Sequence, residues 1–317
     1  AANKDVVREV AGTEGTVFLS SERFIFVRLE ESGAVDSIDQ ASQLFTGVAK
    51  KPPTLEETLE SMGYEKEKEL VELFTKKATE KLIELDAPGL TVEDIAAIFC
   101  YTFEWDKEKF GEGESPYRAL NNSLSVDRSN KTLKKTRGFL FLLLQALRKL
   151  PRFVPENHTL YRGLRAHVQT EPDPEFPERK PYAAGNEKTW WAFTSTTTSL
   201  EATREFLGNR ESTLFVVSGN SWGYDISVFS DFPEEKEILL EPERKLKVTN
   251  VFREGQLITV NAEMLDTPLV LEKVIKVPKH VKTIKAKKSK VKEVPEGLKA
   301  ENITDKSVEL SWTHVVI

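Results

Sequence analysis

Residues 139–164 read FLFLLLQALRKLPRFVPENHTLYRGL, and the fold class is legible in the change of pattern across them. From Phe139 to Leu150 long apolar side chains dominate, and the run stops at Pro151, which cannot continue a helix. About 12 residues fall short of the roughly 20 that span a bilayer, so a buried core helix is predicted here. Beyond Thr159 the apolar runs are short and bounded by turn residues: Leu160-Tyr161, Trp190 to Thr194, Leu214 to Val217, Ile238 to Leu240 and Leu257 to Val260. That pattern is strand-like. Upstream, a helical pattern runs from Thr54 to about Leu85, with Leu55, Leu59, Leu70, Leu73 and Leu82 at near-helical intervals and Thr54 and Glu57 spaced as a capping box. Asp86-Ala87-Pro88-Gly89 ends it, and Thr91-Val92-Glu93-Asp94 opens a second helix that leads into the apolar run around Ile98. Helices first and strands afterwards predict an α+β domain.

Composition narrows the classes further. The chain of 317 residues has room for one large domain and smaller pieces. Its formal net charge of −6 argues against a general nucleic-acid binder, which carries a basic footprint. The lone cysteine, Cys100, excludes an intrachain disulfide and reads as a small buried hydrophobe within Ile95 to Tyr101. A cytoplasmic protein, or a secreted one without disulfides, fits equally. No signal-peptide pattern or membrane span is legible. His158, His167, His280 and His314 lack metal-ligand spacing, so no metal is expected. Asn121, Asn130, Asn157 and Asn302 begin Asn-x-Ser/Thr triplets, which are too common to establish secretion.

Three segments of the strand-rich half carry chemistry. In Leu160-Tyr161-Arg162-Gly163-Leu164 an arginine beside a glycine at a strand end suits a phosphate, though a surface ion pair explains the arginine alone. In Trp190 to Ser199 (WWAFTSTTTS), hydroxyls follow an aromatic strand; Ser199 reads as the N-cap of a helix over 200–206, which leaves Ser195-Thr196-Thr197 unexplained. In Phe229 to Leu240 (FSDFPEEKEILL), a strand places Glu235 and Glu237 on one face with Lys236 on the other. Two like charges on one strand face are costly unless a cation or donor meets them.

In this order the segments resemble the Arg–Ser–Glu class of arginine-specific mono-ADP-ribosyltransferases, whose pattern is an aromatic-Arg-Gly strand, a Ser-Thr-Ser strand and Glu-x-Glu after a mobile loop. The second motif departs, reading Ser195-Thr196-Thr197. The upstream pieces Ala97-Ile98 with Tyr101-Thr102, Tyr117 to Asn121 and Ala146 to Pro151 also resemble the helical region of eukaryotic-type members. The resemblance implies an ADP-ribosyltransferase fold, with an N-terminal helical region before a mixed or antiparallel β-sheet core that holds an NAD cleft. It implies NAD as substrate and a protein with an exposed arginine as partner. Arg162, Ser195, Glu235 and Glu237 are the implied catalytic residues. Arg162, Gly163, Ser195, Thr196, Thr197 and Glu237 would contact NAD, and the segment from Phe229 to Glu234, with Phe232 at its tip, would recognise the acceptor together with Glu235. An NAD glycohydrolase and a catalytically silent binding module of the same fold are the rival readings.

The expected organisation is a strand-rich extension over 1–50, with a hairpin or two strands in 16–29. A transferase domain over 51–276 follows, helical to 151 and catalytic over 152–276. A basic linker over 277–294 leads to a final segment, 295–317. There Pro295, Leu298, Val308, Leu310 and Trp312 resemble the opening of a fibronectin type III domain, which implies further domains of a longer chain.

Overall fold

The computed structural model describes residues 42–48 and 51–275, apart from 65, 88, 111–112, 126–129, 175–176, 178 and 231, together with the pairs 18–19, 24–25, 285–286, 303–304 and 307–308. The chain divides into two compact units, 1–285 and 286–317. In the second, Ile303–Thr304 pairs antiparallel with Ser307–Val308; the rest of the expected fibronectin type III start, and the basic linker apart from 285–286, lie outside the described residues. In the N-terminal extension, Phe18–Leu19 pairs antiparallel with Phe24–Ile25, as the hairpin reading predicts.

Among the described residues, five helices of eight residues or more build the first half of the larger unit. Helix α1 (Leu55–Met62) starts at the predicted capping box: the Thr54 hydroxyl accepts from the Glu57 N–H at 3.1 Å, and the Glu57 carboxylate accepts from the Thr54 N–H at 2.9 Å. The expected helical stretch to Leu85 is not continuous. Gly63 turns left-handed at φ 93°, its N–H reaches Glu60 O and the Tyr64 N–H reaches Leu59 O, a Schellman stop. Helix α2 (Glu67–Glu84) follows. Helix α3 (Val92–Thr102) begins at the predicted start, where Thr91 and Asp94 form a capping box, and is buried from Asp94 to Thr102, Cys100 included. Helices α4 (Pro116–Ser125) and α5 (Asn130–Lys149) complete the layer. Leu59, Leu70, Phe74, Ile98, Leu143, Leu144 and Leu147 form its core. No helix among the described residues is long and apolar enough to cross a membrane.

Nine strands form one mixed sheet: β1 (Arg152–Phe153), β2 (Leu160–Leu164), β3 (Glu187–Trp190), β4 (Thr194–Thr197), β5 (Ser212–Gly219), β6 (Gly223–Asp225), β7 (Glu237–Leu240), β8 (Arg244–Glu254) and β9 (Leu257–Met264). Their order is β1-β6-β7-β4-β2-β5-β9-β8-β3. Neighbours are antiparallel except β5 and β9, which run parallel. The architecture is α+β, with helices preceding a mixed sheet. The run Trp190 to Thr194 is not one strand. Trp190 ends β3 at the sheet edge, where it pairs with Arg244, and Thr194 opens β4 near the middle, where it pairs with Leu240. Between them Phe193 is buried in the helical core and its N–H donates to Asn121 Oδ1, so the chain crosses there from edge to interior.

Strand β7 is buried on both faces. Leu239 packs in the helical core, whereas Ile238 and Leu240 pack in a second cluster with Leu160, Phe215 and Val260. The next residue, Glu241, anchors the helices to the sheet. Arg148, near the end of α5, meets its carboxylate through Nε at 3.0 Å and Nη2 at 2.5 Å. Its Nη1 donates to the carbonyls of Leu271 and Ile275, and the Tyr224 hydroxyl donates to Glu241 at 2.9 Å. Burial alone pushes Glu241 up; Arg148, Arg244 and the Tyr224 hydroxyl outweigh it and hold the carboxyl below its ordinary value. Stability from Glu241 is therefore present above the usual carboxylate range and is lost as pH falls through the lower folded value.

Two residues on, Glu243 has the opposite behaviour. One oxygen accepts from the N–H groups of Val270 and Leu271 at the start of helix α7 (Val270–Val274), which follows helix α6 (Leu200–Leu207) in the chain. The other oxygen is buried without a hydrogen-bond partner. Burial pushes this carboxyl up to about 7, against the two backbone donors. The folded protein thus holds this proton more tightly than the unfolded chain does.

Removing one partner of a buried pair strands the other charge, so Arg148→Met should cost about 3–5 kcal/mol in equilibrium urea unfolding. A second substitution, Glu241→Leu, should recover part of that loss. For Glu243 the sign is reversed. Its contribution is complete below about pH 4.5 and is lost as pH rises to about 7, a fall of about 3 kcal/mol. Glu243→Gln, which keeps an acceptor for Val270, should flatten that slope in unfolding curves taken from pH 4.5 to 8.

Candidate active site

A cleft of about 290 Å³ opens where β2, β4 and β7 meet α3 and α6. Arg162, Gly163, Ser195, Thr196, Thr197, Phe232, Glu235 and Glu237 all line it, so every site residue read from the sequence lies around one cavity. A second cavity of about 250 Å³ shares Tyr101, Tyr117, Arg162, Leu164 and Ser195 with the first and continues past Trp190 and Phe215.

Arg162 sits in β2, half-buried, and its Nη1 donates to the Ser195 carbonyl at 2.9 Å. Its guanidinium lies 5.9 Å from the Trp190 ring centroid. Burial lowers its proton affinity while Tyr101, Tyr182 and Glu237 raise it, so the cation stands in a poorly solvated wall. Gly163 is needed by the packing. A Cβ there would come within 2.9 Å of the side chains of Phe206 and Leu207 on α6, so a larger residue would force those side chains to shift. Ser199 caps α6 as predicted, its hydroxyl accepting from the Ala202 N–H.

Strand register sorts the hydroxyls. Glu237 pairs with Thr197, Ile238 with Thr196 and Leu239 with Ser195. Period-2 alternation puts Glu237, Thr197 and Ser195 on the face that Leu239 turns toward the helices. Ser195 is exposed there and Thr197 half-buried. The Thr197 hydroxyl accepts from the Ser199 N–H. Thr196 faces the other way: it is buried, and its hydroxyl donates to the Ile238 carbonyl at 2.6 Å. Its hydroxyl is committed to the sheet, whatever its backbone does in the cleft.

The two glutamates do not share a strand face. Pro233–Glu235 forms a 3₁₀ turn, Lys236 is left-handed at φ 46°, and β7 begins only at Glu237. Proline at the first position seeds the turn, and Lys236 redirects the chain into the sheet. Both carboxylates still line the cleft, but in different media: Glu237 is 8% exposed, whereas Glu235 is exposed in its turn. Phe229 is fully buried at one end of the loop and Phe232 is exposed beyond it.

Sequence reasoning missed part of the wall. Tyr101, on α3, lines both cavities, and its hydroxyl accepts from Asn121 Nδ2 at 3.2 Å. Burial raises its proton affinity first, and Glu237 adds to it. In the sequence Tyr101 belongs to a motif of the helical region and nothing there marks it as a site residue. Arg165 and Phe206 also line the cleft, with the Arg165 Nε donating to the Phe206 carbonyl. Glu104 and Tyr117 join from the loop after α3 and from α4; no local pattern separates Glu104 from an ordinary surface glutamate.

The sheet of this α+β fold thus gathers an arginine, hydroxyls and one buried carboxylate into a single cleft. The model of the NAD:arginine ADP-ribosyltransferase family matches residues 50–266, more than half of the chain, and the protein belongs to that family. Direct comparison with curated proteins finds no significant match. Among solved structures it is similar to the Vis toxin, an ADP-ribosyltransferase from Vibrio splendidus (20% identity, 70% of this chain and 91% of that one, TM-score 0.42). It is also similar to the type III effector XopAI from Xanthomonas axonopodis pv. citri (17%, 75% and 95%, 0.47). A third is the eukaryotic mono-ADP-ribosyltransferase ART2.2 (16%, 72% and 89%, 0.44).

Proposed function

We infer that the protein transfers ADP-ribose from NAD to arginine side chains of other proteins and releases nicotinamide. The observation that carries this reading is the unequal pair of carboxylates in one cleft: Glu237 buried at the start of β7 and Glu235 exposed in the turn before it. Transfer needs one carboxylate for the donor and a second for the acceptor, whereas hydrolysis has no evident task for the second.

The chemistry follows from these positions. The bond between the ribose anomeric carbon and the nicotinamide nitrogen breaks, with its electron pair leaving on nicotinamide. The positive charge left on the ribose is stabilised by an ionised carboxylate that accepts the ribose 2′-hydroxyl. Glu237 takes this role. Ser195, on the same face, supports the nicotinamide ribose and orients Glu237. The Gly163 backbone meets the nicotinamide amide, Arg162 holds the NAD phosphates, and Thr197 adds a contact beside Ser195. The second cavity, which shares Arg162 with the first, takes the rest of the dinucleotide.

The acceptor presents a protonated guanidinium, a poor nucleophile. Glu235 orients it and accepts its proton as the guanidinium nitrogen bonds to the anomeric carbon. Phe232, exposed in the same loop, contacts the acceptor protein.

Mass spectrometry of agmatine incubated with the protein and NAD tests the reading. An ADP-ribosyl adduct is expected. Free ADP-ribose alone would make the protein a glycohydrolase, and unchanged NAD would make it a silent binding module. Glu237→Gln should lower both transfer and NAD hydrolysis by roughly 10²–10³-fold, the cost of losing a preorganised electrostatic group; near-normal rates would overturn its role. Glu235→Gln should abolish agmatine modification and spare NAD hydrolysis, and parallel loss of both would refute the division of labour.

A further inference from the structure

The cleft has a third carboxylate, contributed by the helical half of the domain. Glu104 follows α3 directly and lines the same cavity as Glu235 and Phe232. It is held in place from behind. Its Oε1 accepts from the Tyr117 hydroxyl at 3.0 Å; its Oε2 accepts from Arg118 Nη2 at 3.3 Å and from Ser115 Oγ at 3.4 Å. Tyr117 is itself fixed by Arg118 Nε at 3.0 Å. Each carboxylate oxygen has two acceptor sites, so these three bonds leave one on Oε1. The carboxylate is also still wet, with its side chain 36% exposed. A glutamate needed only to tie α4 to the loop would not have to stand in the cavity wall.

We propose that Glu104 is a specificity-determining residue for the acceptor: with Glu235 it receives the incoming cationic guanidinium. A planar guanidinium carries five donors in a fork, more than a single carboxylate takes up, and hydrogen bonds between guanidinium and carboxylate are the strong, charge-assisted kind. Glu235 stands in a solvent-exposed turn, whereas Glu104 is held by three bonds before any ligand arrives. Glu104 therefore supplies the preorganised half of the acceptor site and Glu235 the half that takes up the proton. Glu104 lines only the first cavity, the one that holds Glu235 and Phe232, while Arg118 behind it lines the second.

The inference rests on the arginine-transfer reading, and kinetics with agmatine and NAD on the full chain tell the two apart. Glu104→Gln keeps the shape and an acceptor for Tyr117 but removes the charge. It should raise the KM for agmatine about tenfold, the scale of one charge-assisted hydrogen bond, with NAD hydrolysis and the KM for NAD within about twofold of wild type. Glu104→Asp, which restores the charge, should recover part of the agmatine KM. An agmatine KM unchanged in Glu104→Gln overturns the assignment. A parallel rise in the KM for NAD, or a lowered Tm with equal loss of both activities, would make Glu104 a structural tie and also overturn it. If the wild-type protein forms no agmatine adduct at all, the arginine reading itself fails and takes this assignment with it.

Discussion

The buried pair between Arg148 and Glu241 is the contact on which the arrangement depends. One partner lies near the end of the long helix and the other directly follows the strand that begins with Glu237, so this guanidinium ties the helical half of the domain to the sheet. Such a pair is expensive to bury, and it is tolerated here because the guanidinium and carboxylate are met by Tyr224 and two backbone carbonyls. Three residues separate Glu237 from Glu241. With β7 buried on both faces and tied at its far end, Glu237 has little freedom at the near end.

That constraint explains the contrast between the glutamates. Glu237 belongs to the sheet and inherits its rigidity and its low solvent exposure. Glu235 lies outside the sheet, in a turn set by Pro233 and released into the strand by the left-handed Lys236. A group that stabilises charge developing on a bound substrate works best when preorganised and shielded; a group that meets an incoming protein must be reachable. A shift of two residues along the chain takes the carboxylate from one environment to the other.

The remainder of the cleft is assembled from distant elements by packing. Gly163 lets α6 approach β2, which brings Phe206 to the wall. The crossing at Trp191 to Phe193 carries the chain from the sheet edge to its middle, and the Asn121 amide holds both that crossing and Tyr101. Asn121 therefore couples α4, α3 and the start of β4, although it has no place in the cleft nearest the carboxylates.

Much of this was legible in the residues alone because it is encoded locally. The capping box at Thr54, the helix start at Thr91, the Ser199 cap, the core helix before Pro151 and the order of the Arg162, Ser195 and Glu237 segments each depend on a few neighbouring side chains. Periodicity also placed helices before strands. Other features were not legible, since their causes lie far apart in the chain. The Glu-x-Glu run looked like a strand because alternation is the same whether or not a turn precedes it. The stop at Gly63 is the exception, a local left-handed cap that the near-helical leucine spacing on either side masked, whereas the break after Trp190 was hidden by apolar residues that suit either outcome. The contact of Arg148 with Glu241, and the entry of Tyr101 and Glu104 into the cleft, are decided by how helices dock on the sheet, and no short window of sequence contains that information.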